Sequence, residues 1–354
     1  MKKTLLIGLF AISATMNSQT LMSENFNALT VGNVATDITG ATAGQGGFSL
    51  FSTNSTTTTT TNASANNAQI VAGGNSSLGL QITGPNGDKG GTYVWKSGLA
   101  GLWTSRTTGN NIIEIEVDIN PGAGTTTSRN RIGVYLFNAA GDRVLAGFVV
   151  RAATRELSAV AYSTPSGQTV NNWTYGLGAS STTPVLLPAN VFSRIGISYN
   201  KTTGDYIIKA PGLPTTGILI AGSAAGTDPD EIDFIGLSGH STTVANTTEF
   251  SMVMDNFVSR ASATNTLLEN NNFVSNTTDF SVYPNPSNDV VNVSNSSNAI
   301  ISTIEMTDLN GRVVKNVTLN ATEGQINISD LSTGVYMMNV TSDQGSSIKK
   351  VVKN

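Results

Sequence analysis

The amino-acid sequence predicts an all-β protein, with a jelly-roll β-sandwich body followed by a small Greek-key β-sandwich domain. Short runs of alternating apolar and polar residues recur between polar turns, and no extended helical period follows the N-terminal segment. Charged residues make up only 12% of the 354 residues. Much of the surface must therefore consist of Ser, Thr, Asn and Gly, which favour strand faces and turns over helix interiors.

The charge and the cysteine content exclude several classes of function. The formal net charge is −4, so the chain offers no basic surface for nucleic acid or for an anionic membrane. The sequence contains no cysteine, which excludes disulfide bonds, thiolate metal sites and thiol nucleophiles. We expect no nucleic-acid partner, and stability has to come from the burial of apolar side chains.

The N-terminal segment has the pattern of a secretory signal peptide. Lys2 and Lys3 precede an apolar run at residues 5–12, and small and polar residues follow it. The run is too short for a transmembrane helix, which needs ~20 apolar residues. Residues 1–18 are therefore predicted to be removed on export. No other stretch of the sequence is apolar enough to span a bilayer, so the mature protein is predicted to lack a transmembrane segment.

The body, at residues 19–260, is predicted from its strands. Residues 111–120 alternate strictly, with Ile and Val on one face and acidic residues on the other. A polar turn at residues 138–142 is expected to join strands at residues 131–137 and 144–151 as a hairpin, and a turn at residues 200–204 is expected to join strands at residues 192–199 and 205–209. Further strands are predicted at residues 78–82, 92–95, 157–162, 232–237 and 250–259.

Two short motifs lie near the ends of the body, Glu24-Asn25-Phe26 at its start and residues 254–258 at its close. They resemble the paired first and last strands of concanavalin A-like, or laminin G-like, sandwiches. The resemblance implies that the first and last strands of the body pair with each other. The Asn-rich segment at residues 261–278 has little periodicity and is interpreted as a linker.

Residues 279–354 are predicted to form a domain of their own. Two prolines separated by one asparagine enforce extended backbone at its start. An Asn-Gly pair before Arg312 is a strong hairpin signal. The remaining residues fit about six short strands, which is typical of a small Greek-key sandwich.

The motifs of this segment resemble the type A C-terminal sorting domain of the type IX secretion system of Bacteroidetes. They are, in chain order, Tyr283-Pro284-Asn285-Pro286, Asp308-Leu309-Asn310-Gly311-Arg312, Leu331-Ser332-Thr333-Gly334-Val335-Tyr336, and a basic final strand with Lys349, Lys350 and Lys353. The resemblance implies that the type IX translocon is a partner and that the cargo is released or attached to surface lipopolysaccharide. A secreted, extracellular or outer-surface location is expected.

One acidic strand is the sharpest candidate for catalysis. Glu114, Glu116 and Asp118 alternate along it, so their carboxyl groups share one face about 7 Å apart. Laminarinase-type glycoside hydrolases share the concanavalin A-like fold and carry E-x-D-x-E on one strand, which this segment resembles with the last two acids exchanged. The resemblance implies a retaining hydrolase that uses these three residues. The alternative is a solvent-facing acidic strand face.

Other candidate sites are less specific. Asp228, Asp230 and Asp233 could supply oxygen ligands to calcium, as concanavalin A-like folds often do, or form a solvated acidic turn. No other cofactor is expected. The single histidine, His240, excludes a multi-histidine zinc site and lies outside any G-x-S-x-G motif.

The leading hypothesis is a non-catalytic carbohydrate-binding or adhesion module, with a polysaccharide or surface glycan as its partner. The three tryptophans, Trp95, Trp103 and Trp173, could stack on sugar rings or pack inside the sandwich. The alternatives are a laminarinase-like glycoside hydrolase and a structural component of the surface or matrix. An acidic face inside an open, aromatic-lined groove would favour the hydrolase, and a flat exposed face would favour the binding module.

Overall fold

The computed structural model describes residues 18–54, 62–75, 77–125, 127–179, 183–239, 245–268, 280–295, 300–308, 312–342 and 345–354. The predicted signal peptide, apart from its last residue, lies outside the described residues. Among the described residues no helix is long and apolar enough to cross a bilayer. The all-β prediction is confirmed, because strands dominate both domains.

The strands of the body alternate with polar turns, as predicted. They are β1 (Gln19–Glu24), β2 (Gly32–Asn33), β3 (Phe48–Thr53), β4 (Ala68–Ala72), β5 (Leu78–Gly84), β6 (Gly91–Lys96), β7 (Ile112–Asn120), β8 (Arg131–Asn138), β9 (Val144–Arg151), β10 (Leu157–Ser163), β11 (Asn171–Gly176), β12 (Ser193–Asn200), β13 (Tyr206–Lys209), β14 (Ile218–Ile220), β15 (Pro229–Leu237) and β16 (Phe250–Ser262). A short helix, α1 (Leu99–Thr104), follows β6, and two 3-10 turns span Gln45–Gly47 and Ala65–Asn67.

Two antiparallel sheets form the sandwich, and we call them the back sheet and the front sheet. The back sheet has the order β14-β13-β12-β7-β16-β5-β4-β2, with β1 also paired to β16. The front sheet has the order β11-β10-β9-β8-β15-β6-β3. Glu24 of β1 is the partner of Phe257 of β16, so the predicted pairing of the first and last strands is confirmed. The two predicted hairpins, β8–β9 and β12–β13, are confirmed as well.

The core of the body lies between the two sheets. Strand alternation sends every second side chain inward, and on β7 the inward set is Ile113, Ile115, Val117 and Ile119, all of them buried. Phe26, Phe48 and Phe234 meet there with ring centroids 5.9 to 6.4 Å apart. Burial of this apolar surface, at about 25 cal/mol per Å², is the main source of stability.

The body extends beyond residue 260, where the sequence prediction ended it. Strand β16 runs to Ser262, and Leu267 is fully buried against the outer face of the back sheet. Residues 261–268 therefore pack on the body, although their polar composition is typical of a linker. The remainder of the predicted linker, residues 269–278, lies outside the described residues.

The C-terminal domain is a second, smaller sandwich, as predicted. Its strands are β17 (Phe280–Tyr283), β18 (Val290–Asn295), β19 (Ile301–Asp308), β20 (Val313–Ala321), β21 (Glu323–Asn327), β22 (Gly334–Ser342) and β23 (Gly345–Lys353). They form one sheet in the order β17-β18-β21 and another in the order β20-β19-β22-β23. The domain has a core of its own, which includes Phe280, Val293, Ile304, Met338 and Val351.

Candidate functional site

The acidic face of β7 lies on the outer side of the back sheet, yet it is buried. Glu114 is fully buried, and Glu116 and Asp118 are 7% and 5% exposed. The alternative prediction of a solvent-facing acidic strand is therefore wrong. The physical reason lies in the neighbouring strands, which supply cationic partners and a covering segment.

Two arginines neutralise the acids of β7. Arg194 on β12 contacts Glu116 at 3.1 Å and Asp118 at 3.2 Å, and Arg260 on β16 contacts the other oxygen of Glu116 at 3.1 Å. The second oxygen of Asp118 accepts hydrogen bonds of 2.8 Å from the side-chain amides of two asparagines. These contacts satisfy buried charge that would otherwise destabilise the fold strongly.

The segment that follows β16 covers the rest of this face. Both oxygens of Glu114 accept hydrogen bonds from Thr266, through its backbone N–H and its hydroxyl group, and Ser262 Oγ donates at 3.0 Å. The backbone N–H of Leu268 donates to Glu116 at 3.1 Å. The covering segment is thus fastened to the acids themselves.

A glycine opposite Glu116 makes room for this cover. Gly196 of β12 is the register partner of Glu116, and a Cβ at that position would lie 3.0 Å from Leu267 and 3.2 Å from Leu268. Burial raises the pKa of Glu114, and the hydrogen bonds from Thr266 oppose that effect. The carboxyl groups of β7 therefore hold the covering segment in place, and this packing buries all three of them.

The front sheet carries an open groove on its outer face. The groove has a volume of about 660 Å³, and every strand of the front sheet contributes to its lining. Five aromatic side chains line it, namely Phe51, Tyr93, Trp95, Tyr135 and Phe137. Glu231 and Asp233 line it as well. We call this feature the aromatic groove.

The strand register explains why aromatic and acidic residues meet in the groove. Asp233 of β15 is the partner of Trp95 on β6 and of Tyr135 on β8. The same row continues through Gly147 on β9 to Val160 on β10. Side chains two residues apart on a strand share a face, so Glu231 points to the groove side together with Asp233.

The aromatic rings contact one another in pairs along the groove. Phe51 and Tyr93 lie with ring centroids 6.1 Å apart, and Tyr135 and Phe137 form an edge-to-face pair at 5.7 Å. Gly147 permits the position of Tyr135, because a Cβ on Gly147 would lie 2.6 Å from the Tyr135 ring. The spacing of these rings matches the range in which aromatic pairs attract.

The two acids of the groove lack the cationic partners found on β7. Asp233 is 4% exposed, and its Oδ1 atom accepts no hydrogen bond within the described part of the chain. Burial, and next the charge of Glu231, raise the pKa of Asp233 to about 9. Burial also raises the pKa of Glu231, and its hydrogen bond with Asp233 opposes that effect. At neutral pH Asp233 is therefore mainly protonated, and its proton can be shared with Glu231.

The two tyrosines nearest the pair are neutral at physiological pH. Burial raises the pKa of Tyr135 to about 12, while Arg131 opposes the shift. Burial and the charge of Asp233 raise the pKa of Tyr93. Their hydroxyl groups can therefore donate hydrogen bonds to a ligand but are poorly suited to act as bases.

The structure separates the residues predicted as calcium ligands. Asp228 is exposed and pairs with Lys201 at 2.5 Å, and it accepts a hydrogen bond of 2.7 Å from Trp103 Nε1. Asp230 is partly exposed, and Asp233 faces the aromatic groove. Among the described residues no group of three or more acidic or histidine side chains is placed to hold a metal ion.

The other candidate residues have different surroundings. Trp95 lines the aromatic groove, whereas Trp103 is buried in the core. Trp173 donates a hydrogen bond of 3.0 Å to the carbonyl oxygen of Thr169. The single histidine, His240, lies outside the described residues.

The predicted sorting motifs occupy turns and strand ends of the C-terminal domain. Tyr283 is 51% exposed, and the bonds before Pro284 and Pro286 are both cis. Asn285 donates a hydrogen bond of 2.6 Å to the carbonyl oxygen of Lys350 in β23. The first motif is thus joined directly to the last strand.

Two further motifs stabilise turns within this domain. Arg312 pairs with Asp308 at 3.1 Å across the Asn-Gly turn, whose residues 309–311, including Gly311, lie outside the described residues. Tyr336, two residues after Gly334, is almost buried, and its hydroxyl group donates 2.8 Å to the carbonyl oxygen of Ser332. These residues act on the fold of the domain through local contacts.

The basic final strand is only partly a positive surface. Lys350 is exposed and Lys349 is partly exposed, whereas Lys353 is 9% exposed and its Nζ donates to the backbone of Asn354. The expectation that all three lysines present their charge is therefore wrong for Lys353. Strand alternation is the reason, because successive side chains of β23 point to opposite faces.

Comparison with protein families identifies the C-terminal domain. Residues 281–354 match the family model described as "Secretion system C-terminal sorting domain". The motif-based resemblance is thus confirmed, and the sorting domain marks the chain for export. The comparison with curated protein sequences gave no match.

Comparison with solved structures gives distant likenesses. Alginate lyase Aly36B is 13% identical, with 67% of this chain and 95% of that chain covered and a TM-score of 0.38. Alginate lyase vAL-1 from Chlorella virus is 9% identical, with 55% and 88% covered and a TM-score of 0.36. A structure of botulinum neurotoxin type C is 9% identical, with 85% and 68% covered and a TM-score of 0.37. At these values no residue, ligand or activity is transferred to this chain.

Sequence reasoning named Trp95 and Asp233 but did not place them together. A usable signal was present, because Tyr93 and Trp95, and likewise Tyr135 and Phe137, are aromatic at every second position of their strands. On a two-layer sandwich the outward face is normally polar, so aromatic pairs there indicate an interaction site. Glu231-Ile232-Asp233 also repeats the E-x-D spacing that was sought on β7.

Proposed function

We propose that the exported body binds a polysaccharide or surface glycan in the aromatic groove without cleaving it. One observation carries this proposal above all others. Asp233 is buried between Trp95 and Tyr135, in an open groove, with its Oδ1 atom unpartnered in the described part of the chain. A buried acceptor without a donor destabilises a fold by about 1–3 kcal/mol, which argues for a ligand that supplies the donor.

The remaining lining of the groove suits a sugar chain. Sugar rings present apolar C–H faces that stack on aromatic rings and hydroxyl groups that bind carboxylates and amides. The groove supplies both, through its aromatic side chains, its acid pair and the amide of Asn172. Its length across the whole front sheet suits a polymer with several sugar units.

Binding without cleavage is favoured by the arrangement of the acids. A glycosidase keeps its two carboxyl groups about 5–5.5 Å or 6.5–9.5 Å apart so that one acts as an acid and the other as a nucleophile or base. Glu231 and Asp233 instead hydrogen-bond to each other. The third acid of an E-x-D-x-E pattern is replaced by Ile235.

A glycoside hydrolase that uses Glu231 and Asp233 is the second candidate. The observation in its favour is the raised pKa of Asp233, since a protonated carboxyl group beside a carboxylate is what an acid catalyst requires. A ligand that separates the two side chains would be needed to reach a productive distance.

A glycan array and a reducing-sugar assay on the mature full-length protein separate these functions. We expect binding to at least one glycan, a loss of tenfold or more in Trp95→Ala, and no release of reducing ends. Tyr283→Ala, which removes an exposed aromatic side chain from the sorting domain, is the matched control and should bind normally. Release of reducing ends that Glu231→Gln abolishes would establish the hydrolase instead. A protein that binds no glycan would contradict both candidates.

We further propose that the sorting domain directs the chain through the type IX translocon and that β23, which carries Lys349 on one face and Lys350 on the other, is part of the recognised surface. The support is the match of residues 281–354 and the position of both lysines on β23. Removal of residues 348–354 would also remove Val351, which is buried in the domain core. Charge reversal is therefore the cleaner test.

The experiment is secretion of Lys349→Glu/Lys350→Glu in a host with the type IX apparatus. We expect the variant to accumulate in the periplasm, while the control Lys89→Glu, on the body, reaches the medium at the normal level. Normal secretion of the double variant would show that these lysines are not part of the recognised surface. Normal secretion after deletion of residues 279–354 would overturn the sorting assignment for this chain.

A further inference from the structure

The acid end of the aromatic groove combines negative charge with aromatic faces. Asp233 lies between Trp95 and Tyr135, and Glu231 is the register partner of Phe137 on β8. Each acid thus has an aromatic neighbour on the adjoining strand. Aromatic faces carry negative electrostatic potential, so both kinds of side chain attract cations.

No cation of the chain neutralises this end of the groove within the described residues. Among the described residues that line the groove, Arg131 is the one basic side chain; its charge acts on Tyr135, but it forms no ion pair with Glu231 or Asp233 and does not lower the pKa of either acid. The pKa of both acids remains raised by burial, whereas a nearby guanidinium group would lower it. Neither acid has a cationic partner within the described residues.

The orphaned Oδ1 atom of Asp233 is the second, independent feature. The side chain is more than nine-tenths buried, lines the groove and accepts no hydrogen bond at this oxygen within the described part of the chain. A ligand that contacts this oxygen must bring an N–H or O–H donor. A cationic donor gains the most, because charge-assisted hydrogen bonds are about twice as strong as neutral ones.

We propose that the acid end of the aromatic groove binds an ammonium group, so that the ligand is a polysaccharide with free amino sugars. The inference rests on the proposed function, since it names the class of glycan for the same groove. An ammonium group offers three N–H donors to Asp233 and Glu231 and sits against the faces of Trp95 and Tyr135. Uronate and sulfate groups are repelled by the same charge.

Isothermal titration of the mature full-length protein at pH 6 tests this ligand class. The probes are the tetrasaccharides of glucosamine, N-acetylglucosamine and mannuronate, which differ in charge. We expect glucosamine tetrasaccharide to bind at least tenfold more tightly than its N-acetylated form, and mannuronate tetrasaccharide not to bind. Tetramethylammonium should compete with the glucosamine probe, because it presents the charge without the sugar.

Two groove variants and one control variant test whether the acid pair causes the preference for glucosamine. Glu231→Gln and Asp233→Asn should each reduce the preference for glucosamine to less than threefold, while Glu249→Gln, which alters an exposed carboxylate on the body, should leave it unchanged. Asp233→Asn keeps a polar group of the same size, so the folded protein remains measurable.

Three other binding results would each overturn a different part of the proposal. Equal binding of both amino-sugar probes in all variants would overturn the ammonium site and leave glycan binding intact. Binding of a trimethyl-lysine peptide without binding of any oligosaccharide would overturn the glycan class. The absence of binding by every oligosaccharide probe, together with an empty glycan array, would overturn the proposed function itself.

Discussion

Strands β7 and β15 both carry acidic residues at every second position, and the structure uses them in opposite ways. On β7, Glu116 contacts Arg194 and Arg260 at 3.1 Å each, and the segment after β16 covers the face. On β15, Glu231 and Asp233 face an open groove among aromatic side chains. Acidic residues at alternate positions thus stabilise the fold in the back sheet, whereas in the front sheet they lack cationic partners among the described residues.

The difference lies in the neighbouring strands. The partners of the β7 acids are Arg194, Gly196 and Ser198 on one side, which supply charge, space and a hydroxyl group. The partners of Asp233 are aromatic, Trp95 and Tyr135, and neither can neutralise a carboxylate. A buried acid without a partner, such as Asp233, occurs in proteins mainly where function requires it, and this contrast is the basis for proposing that β15, and not β7, carries the binding site.

The largest loss of stability should follow from removing one member of the ion-pair cluster on β7. Glu116→Ala leaves Arg260 buried without its carboxylate, and loss of one member of a buried ion pair costs about 3–5 kcal/mol. We expect the free energy of unfolding in urea to fall by that amount. The control is Glu249→Ala, an exposed carboxylate, which should change it by less than about 0.5 kcal/mol. A loss as small as that of the control would mean that β7 is not structural.

A smaller change in the free energy of unfolding, and of opposite sign, is expected when Asp233 in the groove is replaced. Asp233→Asn removes the need to keep a buried carboxyl group protonated, so we expect stabilisation by about 1–3 kcal/mol at pH 8. The pKa of Asp233 is raised in the folded state from 3.8 to about 9, so the folded state binds the proton more tightly than the unfolded state. Stability from this group is full below about pH 4 and declines as the pH rises towards 9.

The pH dependence can be measured with urea unfolding of the natural protein and of Asp233→Asn between pH 5 and 9. The groups that face Asp233 are Glu231, Tyr93 and Tyr135, with Arg131 farther along the groove. The decline with pH should be weaker in the variant. Parallel curves for the two proteins would show that Asp233 is not held protonated by its surroundings.

The smallest change in stability should come from adding a methyl group beside the Tyr135 ring of the groove. Gly147→Ala places a methyl group 2.6 Å from the ring of Tyr135, which must tilt away. We expect a cost in stability of about 1 kcal/mol and a loss of glycan affinity of several fold. Gly176→Ala is the matched control on β11 of the same sheet, because nothing lies within 4 Å of its new Cβ. Unchanged glycan affinity in Gly147→Ala would show that Tyr135 is not part of the binding surface.

The fold could be predicted largely from sequence, because strand alternation and turn residues are local properties. Residues 144–151 were predicted as a strand and form β9 with the same bounds. Strand β3 was not predicted, although two of its residues, Phe51 and Thr53, line the groove. The alternation of apolar and polar residues breaks within this strand, because Leu50 and Phe51 are adjacent apolar residues.

The site could be predicted only in part, because the outer faces of two sheets look alike in sequence. Alternation placed Glu116 and Asp118 on one face correctly but could not show that Arg194, 76 residues after Asp118, would contact both of them. For Asp233 the sequence could not show that Trp95 lies beside it, since that neighbour depends on the order of strands in the front sheet. Register across a sheet is a long-range property.

The central claim is that the aromatic groove, and not the acidic strand β7, is the binding site. Hydroxyl-radical footprinting of the mature protein tests it most directly, with glucosamine, N-acetylglucosamine or glucose tetrasaccharide added in turn. We predict that at least one sugar slows oxidation of the groove rings, above all the exposed Phe51 and the partly exposed Trp95, and leaves Tyr283 of the sorting domain unchanged. Slower oxidation of the partly exposed Leu268, which covers β7, together with unchanged oxidation of the groove rings would contradict the claim.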